Sequence, residues 1–167
     1  PIDRGVVVVN GKTFKAPNPI SMKQAGVGLT PENRKTEGLI LIHPIEDNLC
    51  YASMDKTSKG WVEDRRKRQQ FADKQVQELE IKVSSIRATA GSLSGGNQQK
   101  VVVGNWLNTD PKVMIYDEPT RGIDVGAKYE IYTIINQLAA QGKGIIMISS
   151  ELPEILGMCD RIYVMSE

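Results

Sequence analysis

The apolar residues of this chain fall into short continuous runs that are separated by segments with helical spacing. In the last third, strands are predicted at 112–116, 144–148 and 161–165, and helices at 127–140 and 151–156. Short apolar runs joined by amphipathic helices are typical of parallel strands whose two faces are both covered. The pattern therefore predicts an α/β fold with a mostly parallel sheet flanked by helices.

The first 40 residues have a different pattern. A β-branched run at 6–9 is followed by Asn10-Gly11 and a second short run at 12–15. Asn-Gly between two such runs is a strong signal for a two-residue turn, so an antiparallel hairpin is predicted here. A helical turn at 21–25, a short strand at 26–29 and a charged loop at 30–38 follow.

The segment from 44 to 107 is mainly polar with helical spacing. Residues 61–80 carry few apolar positions among many charges, which is typical of a surface helix. A glycine-containing loop at 91–96 precedes a second helix, predicted at 97–107. The basic run at 65–68 is surrounded by acidic residues, which indicates the solvated face of a helix rather than a phosphate-binding patch.

Composition narrows the class of protein. The 167 residues are 40% hydrophobic and 25% charged, which is ordinary for a globular chain, and 21 basic against 20 acidic residues give a net charge of +1. This balance argues against a nucleic-acid partner. Cys50 and Cys159 match no metal or redox spacing, which favours a reducing cytosolic compartment. Because the chain starts at Pro1 without an initiator Met or a signal-like segment, we expect an excised piece of a longer protein.

Gly11-Lys12-Thr13 is the one Gly-Lys-Ser/Thr string in the chain. A phosphate loop (Walker A) needs a glycine five residues before the second glycine and a helix after the threonine. Here a β-branched strand precedes the string, and Pro17 and Pro19 prevent a helix after it. The string is therefore predicted to be a hairpin turn, and we expect the isolated chain neither to bind ATP tightly nor to hydrolyse it.

A glycine-rich string, Ser94-Gly95-Gly96, lies directly before the predicted helix at 97–107. Glycines allow a backbone to approach a phosphate closely, and the first amides of a helix favour an anion. The alternative is an ordinary loop in which Ser94 caps the helix.

Two adjacent acids, Asp117 and Glu118, follow the predicted strand at 112–116. The carboxyl ends of parallel strands are where such sheets bind ligands. Asp117 is placed to hold Mg²⁺ through water, and Glu118 is placed to orient or deprotonate an attacking water molecule. The alternative is a pair of solvated loop acids.

These motifs carry a resemblance to a known family. The order Leu93-Ser94-Gly95-Gly96, an apolar strand, Asp117-Glu118-Pro119-Thr120 and then Gly122-Ile123-Asp124 resembles the signature, Walker B and D-loop of ABC transporter ATPases. The fuller strings at 94–100, 117–128 and 148–154, with Pro-Glu-Asn-Arg-Lys at 31–35, resemble the second nucleotide-binding domain of monosaccharide importers of the ribose, galactose and xylose type. The resemblance implies a partial nucleotide-binding domain over 1–167: a hairpin and Q-loop region at 1–40, a helical signature subdomain at 41–110, and a core at 111–167.

The resemblance also implies site residues. In this family each ATP lies between the Walker A loop of one domain and the signature of another. The signature residues would contact the ATP of a partner domain, Asp117 and Glu118 would serve an ATP held by the missing Walker A, and Asp124 in the D-loop would couple the two sites. The signature residues in this sequence are Ser94, Gly95, Gly96, Asn97 and Gln98.

Two positions depart from the family pattern. Ser150 stands where a histidine usually contacts the γ-phosphate, and Glu32 stands where the Q-loop glutamine is usual. Ser150 is also predicted to cap the helix at 151–156, and the alternative for Glu32 is an exposed loop acid. His43 has no carboxylate or cysteine pattern around it, so a structural role is predicted.

Three hypotheses follow from the resemblance. The first is an ATP-hydrolysing subunit that uses Mg²⁺ and powers monosaccharide import through transmembrane permease subunits, at the cytoplasmic face of the inner membrane. The second keeps the fold but makes this half a weakly active regulatory domain whose signature completes a partner's site. The third, a DNA-associated ATPase of the same superfamily, needs long heptad arms that this sequence lacks.

Overall fold

The computed structural model describes residues 5–60 and 62–165, and it has the predicted α/β architecture. Three short helical turns accompany the regular elements, at Arg34–Gly38 (a π-helical turn), Tyr51–Ser53 and Ala90–Ser92. The strands and helices in chain order are β1 (Val7–Val9), β2 (Lys12–Phe14), α1 (Pro19–Gln24), β3 (Val27–Thr30), α2 (Ile45–Asn48), α3 (Met54–Thr57), β4 (Ser58–Lys59), β5 (Val62–Glu63), α4 (Arg65–Glu78), α5 (Gly95–Leu107), β6 (Val113–Asp117), α6 (Val125–Ala140), β7 (Gly144–Ile148) and α7 (Leu152–Met158).

Strands β1 and β2 form the predicted antiparallel hairpin, with Val8 opposite Thr13. Its turn residues, Asn10 and Gly11, have φ angles of 50° and 75°. Positive φ at both central positions is what a tight hairpin turn requires. The prediction that Gly11-Lys12-Thr13 belongs to a hairpin rather than to a phosphate loop is therefore confirmed.

The central sheet has the order β3-β6-β7, and all three strands are parallel. Thr30 at the end of β3 pairs with Tyr116, and Asp117 at the end of β6 pairs with Ile148 at the end of β7. The register therefore brings the carboxyl ends of the three strands to one edge.

One face of this sheet packs against α5 and α6. Met114 and Tyr116 on the central strand point to that face and are fully buried. The other face carries a row formed by Leu29, Ile115 and Ile146, of which Leu29 and Ile146 are 44% and 50% exposed. Within the described residues, the prediction that helices cover both faces thus holds for one face only.

Helix α4 is the predicted surface helix, and Asp64 caps it by accepting a hydrogen bond from the amide of Lys67 at 3.1 Å. Three residues of the basic run are exposed as expected. The fourth, Arg68, instead forms ion pairs with Asp47 at 2.9 Å and with Glu63 at 2.7 Å. This arginine joins α4 to the α2 region, so it is not part of a free basic patch.

The structure corrects one local prediction and adds one element that was not predicted. Residues 161–165 form no strand, because none of the described strands pairs with them, and their apolar side chains are largely exposed. The short β4–β5 ladder, in which Ser58 pairs with Glu63, was not predicted.

His43 contacts the hydroxyl group of Tyr51 through Nδ1. Across the two described ranges, no helix has the length and apolar character needed to cross a membrane.

Candidate functional site

The carboxyl edge of the parallel sheet is where three of the predicted site residues meet. Glu32 follows β3, Glu118 follows β6 and Ser150 follows β7. All three line one cleft of about 560 Å³. The carboxyl edge of a parallel sheet is where such sheets bind ligands, so this cleft is the candidate site.

Glu118 is held in an unusual backbone conformation, with a φ of 45°. Its amide donates to the carbonyl oxygen of Ile148 at 2.9 Å, and its Oε1 accepts a hydrogen bond from the amide of Ser150 at 2.7 Å. A non-glycine residue in the left-handed region costs on the order of 1–3 kcal/mol and persists only where its surroundings enforce it. The loop after β7 enforces it here, and this loop also orients the carboxylate toward the cleft.

Ser150 contacts Glu118 through its backbone, and its hydroxyl does not cap the following helix. Helix α7 begins at Leu152 with Glu151 at the capping position, and the Oγ of Ser149 accepts from the amide of Glu151 at 3.0 Å. The amide of Ser150 donates to Glu118, and the helix has no side-chain cap hydrogen bond. The prediction that Ser150 caps this helix is therefore wrong.

Two ion pairs lie at the rim of the cleft. Arg121 pairs with Glu32, and Lys128 pairs with both carboxylate oxygens of Glu151 at 2.6 and 2.8 Å. The hydrogen bond that Lys128 donates to Glu151 raises the pKa of Lys128 above its ordinary value. Neither basic residue was identified from the sequence, although Arg121 directly follows the Asp-Glu-Pro-Thr string.

Asp117 lies half-exposed at the end of β6, next to the cleft. Among the described residues, no cluster of three or more His, Cys, Asp or Glu side chains is arranged to hold a metal ion. One carboxylate fits a Mg²⁺ ion that takes most of its ligands from water and from nucleotide phosphates. The donor set is thus compatible with the predicted role of Asp117.

Ser94 caps the helix that begins with the signature glycines. Its Oγ accepts hydrogen bonds from the Nδ2 of Asn97 at 2.9 Å and from the amide of Asn97 at 3.5 Å. The Oδ1 of Asn97 in turn accepts from the amide of Lys82 at 2.9 Å. Ser94 remains exposed, but the polar groups of Asn97 are engaged within the chain.

The signature glycines pack tightly against other parts of the same chain. A Cβ atom added to Gly96 would lie 2.5 Å from the Cβ of Ala127 at the start of α6. A Cβ atom added to Gly95 would lie 2.9 Å from the Nη2 of Arg34. The sequence indicated that glycine is needed here for a close approach to phosphate, whereas the structure shows an approach to Ala127 and Arg34.

Gln98 is 4% exposed, and its Nε2 donates to the carbonyl oxygen of Ala90 at 3.4 Å. A side chain buried in this way presents no surface to a ligand in this structure. The prediction that Gln98 contacts a nucleotide is therefore corrected to a packing role.

Asp124 caps α6 by accepting a hydrogen bond from the amide of Ala127 at 2.9 Å. It is exposed, and it ends the loop that leads away from Glu118. The structure therefore places Asp124 on the surface beside the signature glycines.

Comparisons with known proteins establish the family of this chain. A family model described as ABC transporter matches residues 1–121, and the chain belongs to the ABC transporter ATPase family. The chain is 48% identical over its whole length to the ribose import ATP-binding protein RbsA of Bacillus licheniformis, and it covers 34% of that protein. It is 47% identical over 98% of its length to the xylose import ATP-binding protein XylG of Thermoanaerobacter pseudethanolicus, of which it covers 32%. The chain thus spans about a third of the length of these curated relatives.

Solved structures share the fold. A nucleotide-free ATP-binding cassette from an ABC transporter superimposes with a TM-score of 0.80 at 23% identity, over 95% of this chain and 64% of that one. A dimeric cassette in a post-hydrolysis state, bound to ADP and Pi, superimposes with a TM-score of 0.70 at 18% identity, over 90% of this chain and 65% of that one. At these identities the likeness establishes the fold alone.

Proposed function

We propose that this chain belongs to the ATP-hydrolysing subunit of an ABC importer for a monosaccharide of the ribose or xylose type. The main support is its identity of 48% to a ribose import ATP-binding protein across the whole chain. The placement of Glu32, Glu118 and Ser150 around one cleft at the carboxyl edge of the sheet is a second support. The division into a hairpin region at 1–40, a helical subdomain at 41–110 and a core at 111–167 belongs to the same proposal.

In this proposal Glu118 orients and deprotonates the water that attacks the γ-phosphate. Its carboxylate is held by the amide of Ser150, so the loop after β7 sets the direction in which the base points. Asp117 holds Mg²⁺ through water, and the metal ion, when bound, neutralises the charge that develops on the phosphate oxygens. The Ser150 hydroxyl takes the place of a cationic contact to the γ-phosphate.

The signature residues at the start of α5 serve a different nucleotide in this proposal. Ser94 and the first amides of α5, at Gly95 and Gly96, contact the γ-phosphate of an ATP that is held by a partner nucleotide-binding domain. Helix N-termini favour such an anion because their first amides lack intrahelical partners. Asp124 lies at the interface with that partner, and permease subunits connect the assembly to the membrane at its cytoplasmic side.

A weakly active regulatory half is the second candidate. It is favoured by two observations: Ser150 supplies no positive charge at the γ-phosphate position, and Glu32 is engaged in an ion pair with Arg121. In this version the signature of the chain completes a partner's site, while its own cleft hydrolyses ATP slowly.

The Glu118→Gln variant separates the two candidates. ATP hydrolysis is measured in the transporter complex with the subunit at its natural length. A general base contributes roughly 10²–10⁴-fold to a rate, so the catalytic version expects a loss of about 100-fold or more in the hydrolysis assigned to this half. The regulatory version expects the complex to keep more than half of its total activity.

The exposed Glu37→Gln serves as the matched control, because it makes the same chemical change outside the cleft. A wild-type complex that does not hydrolyse ATP would refute both versions.

A further inference from the structure

Arg34 is a buried cation without an acidic partner. It is 9% exposed, and no carboxylate lies within ion-pair distance of it across residues 5–60 and 62–165. Burial lowers the pKa of its guanidinium group. A buried charge is costly unless it is paired or hydrogen-bonded, and the Nε of Arg34 has no partner among the described residues, so its two Nη atoms make the hydrogen bonds.

The guanidinium group holds the loop at residues 120–124, which we call the D-loop. Its Nη1 donates to the carbonyl oxygen of Arg121 at 2.6 Å, and its Nη2 donates to the carbonyl oxygen of Gly122 at 3.0 Å. The two carbonyl groups come 87 and 88 residues after Arg34 in the sequence. The planar fork of arginine fits two successive carbonyl oxygens, a geometry that lysine does not provide.

The same guanidinium group also contacts the start of α5. The space beside Gly95 is filled by the Nη2 of Arg34, the carbonyl oxygen of Gly122 and the side chain of Ile123, which lie 2.9–3.2 Å from the point that a Cβ atom would occupy. The ion pair between Glu32 and Arg121 links the loop after β3 to the D-loop a second time. Three segments that are distant in sequence therefore meet at one side chain.

We propose that Arg34 is a positioning residue that keeps the D-loop and the start of α5 in one rigid unit. The inference rests on the proposed function. In that proposal α5 contacts the nucleotide of a partner domain, and the D-loop comes after Glu118, the general base at this chain's own cleft, in the sequence. A displacement at either segment is then transmitted to the other through the guanidinium group. Coupling of this kind needs a continuous set of packed, hydrogen-bonded groups, which the contacts of Arg34 provide.

Two substitutions separate the hydrogen-bonding fork from the charge. Arg34→Lys keeps the charge and loses one of the two carbonyl contacts, and Arg34→Met removes both the charge and the contacts. Lys35→Met is the matched control, since the neighbouring lysine is exposed and its loss removes the same charge.

The first test measures hydrogen exchange without nucleotide in the subunit at its natural length. The amides of Arg121 and Ile123 donate to the carbonyl oxygens of Glu118 and Thr120 at 3.1 and 3.4 Å. Both Arg34 variants are expected to exchange these amides about tenfold faster or more, with α4 and the Lys35→Met chain unchanged. Unchanged exchange in the D-loop, or equal acceleration throughout the chain, would refute a positioning role. If the Arg34→Met variant does not fold, the same exchange measurement on Arg34→Lys still tests the positioning role.

The second test measures ATP hydrolysis in the transporter complex with the subunit at its natural length. Both Arg34 variants are expected to lower kcat about tenfold, with KM for ATP changed less than about twofold, because a misplacement of about 1 Å in catalytic groups can cost up to about 100-fold in rate. Arg34 variants with a wild-type kcat, or with a raised KM alone, would overturn the inference. A wild-type complex without hydrolysis would overturn the proposed function instead, and the exchange measurement would still decide whether Arg34 positions the D-loop.

Discussion

The packing of Gly96 gives a prediction that needs no nucleotide. In Gly96→Ala the new methyl group would lie 2.5 Å from the Cβ of Ala127. Two carbon atoms pack at roughly 3.5–4.0 Å, so α5 and α6 must separate by about 1 Å or more at this point. If glycine were required only for the approach of a phosphate, the same substitution would leave the stability of the free chain unchanged.

The magnitude follows from two opposing effects. Overpacking a buried contact typically costs about 1–3 kcal/mol. Replacing glycine by alanine in a helix recovers up to about 1 kcal/mol, and less in the first turn, where Gly96 lies. We therefore expect a net loss of about 1–2 kcal/mol in the free energy of unfolding, measured by urea denaturation of the chain.

A second substitution tests the cause of this loss. Ala127→Gly alone should cost less than about 1 kcal/mol through helix propensity, since Ala127 lies in the first turn of α6, but in the Gly96→Ala background it removes the clash and should restore stability. The control is Gly157→Ala in α7, where no atom lies within 4 Å of the added Cβ, so no loss is expected. A Gly96→Ala chain as stable as the wild type, or additive effects in the double variant, would refute the packing argument.

Two further predictions concern buried and paired carboxylates. Thr120→Val should lower the free energy of unfolding, measured by urea denaturation, by about 1–3 kcal/mol, because Glu154 is 5% exposed and its Oε1 accepts from the Thr120 hydroxyl at 2.7 Å. Thr120→Ser keeps the hydroxyl group and should keep most of the stability. A Thr120→Val chain as stable as the wild type would contradict this. The pKa of Glu130 lies below its ordinary value, first because of the hydrogen bond from Lys100. A depressed folded-state pKa means that this pair stabilises the fold above the unfolded-state pKa and that the contribution is lost as pH falls through the folded-state pKa. NMR titration of Glu130 in Lys100→Met should therefore show a higher midpoint, and an unmoved midpoint would speak against the pairing.

The features that could be predicted from the sequence depend on local patterns or on a general rule of topology. Asn10-Gly11 specifies its turn through the backbone freedom of two residues, so the hairpin needed no knowledge of the rest of the chain. The positions of Asp117 and Glu118 followed because the carboxyl ends of parallel strands share an edge. In both cases the determining information lies within a few residues of the feature itself.

Predictions failed where a tertiary partner decides the outcome. The apolar run at 161–165 has strand-like composition, but none of the described strands lies beside it, so its backbone forms no ladder. Ser150 has the side chain of a good helix cap, yet its amide donates to Glu118, 32 residues away, and Glu151 takes the capping position.

Arg34 shows why the remaining part of the site was out of reach. In the sequence it is one of several charged residues in a loop, and charged loop residues are usually exposed. Its burial follows from contacts with carbonyl oxygens 87 and 88 residues away, and a backbone carbonyl has no signature in the sequence. The glycine at position 95 is the related signal, because it leaves the space that the guanidinium group fills. A glycine in a binding motif therefore indicates that something approaches closely, and the structure is needed to identify whether that group belongs to a ligand or to the chain itself.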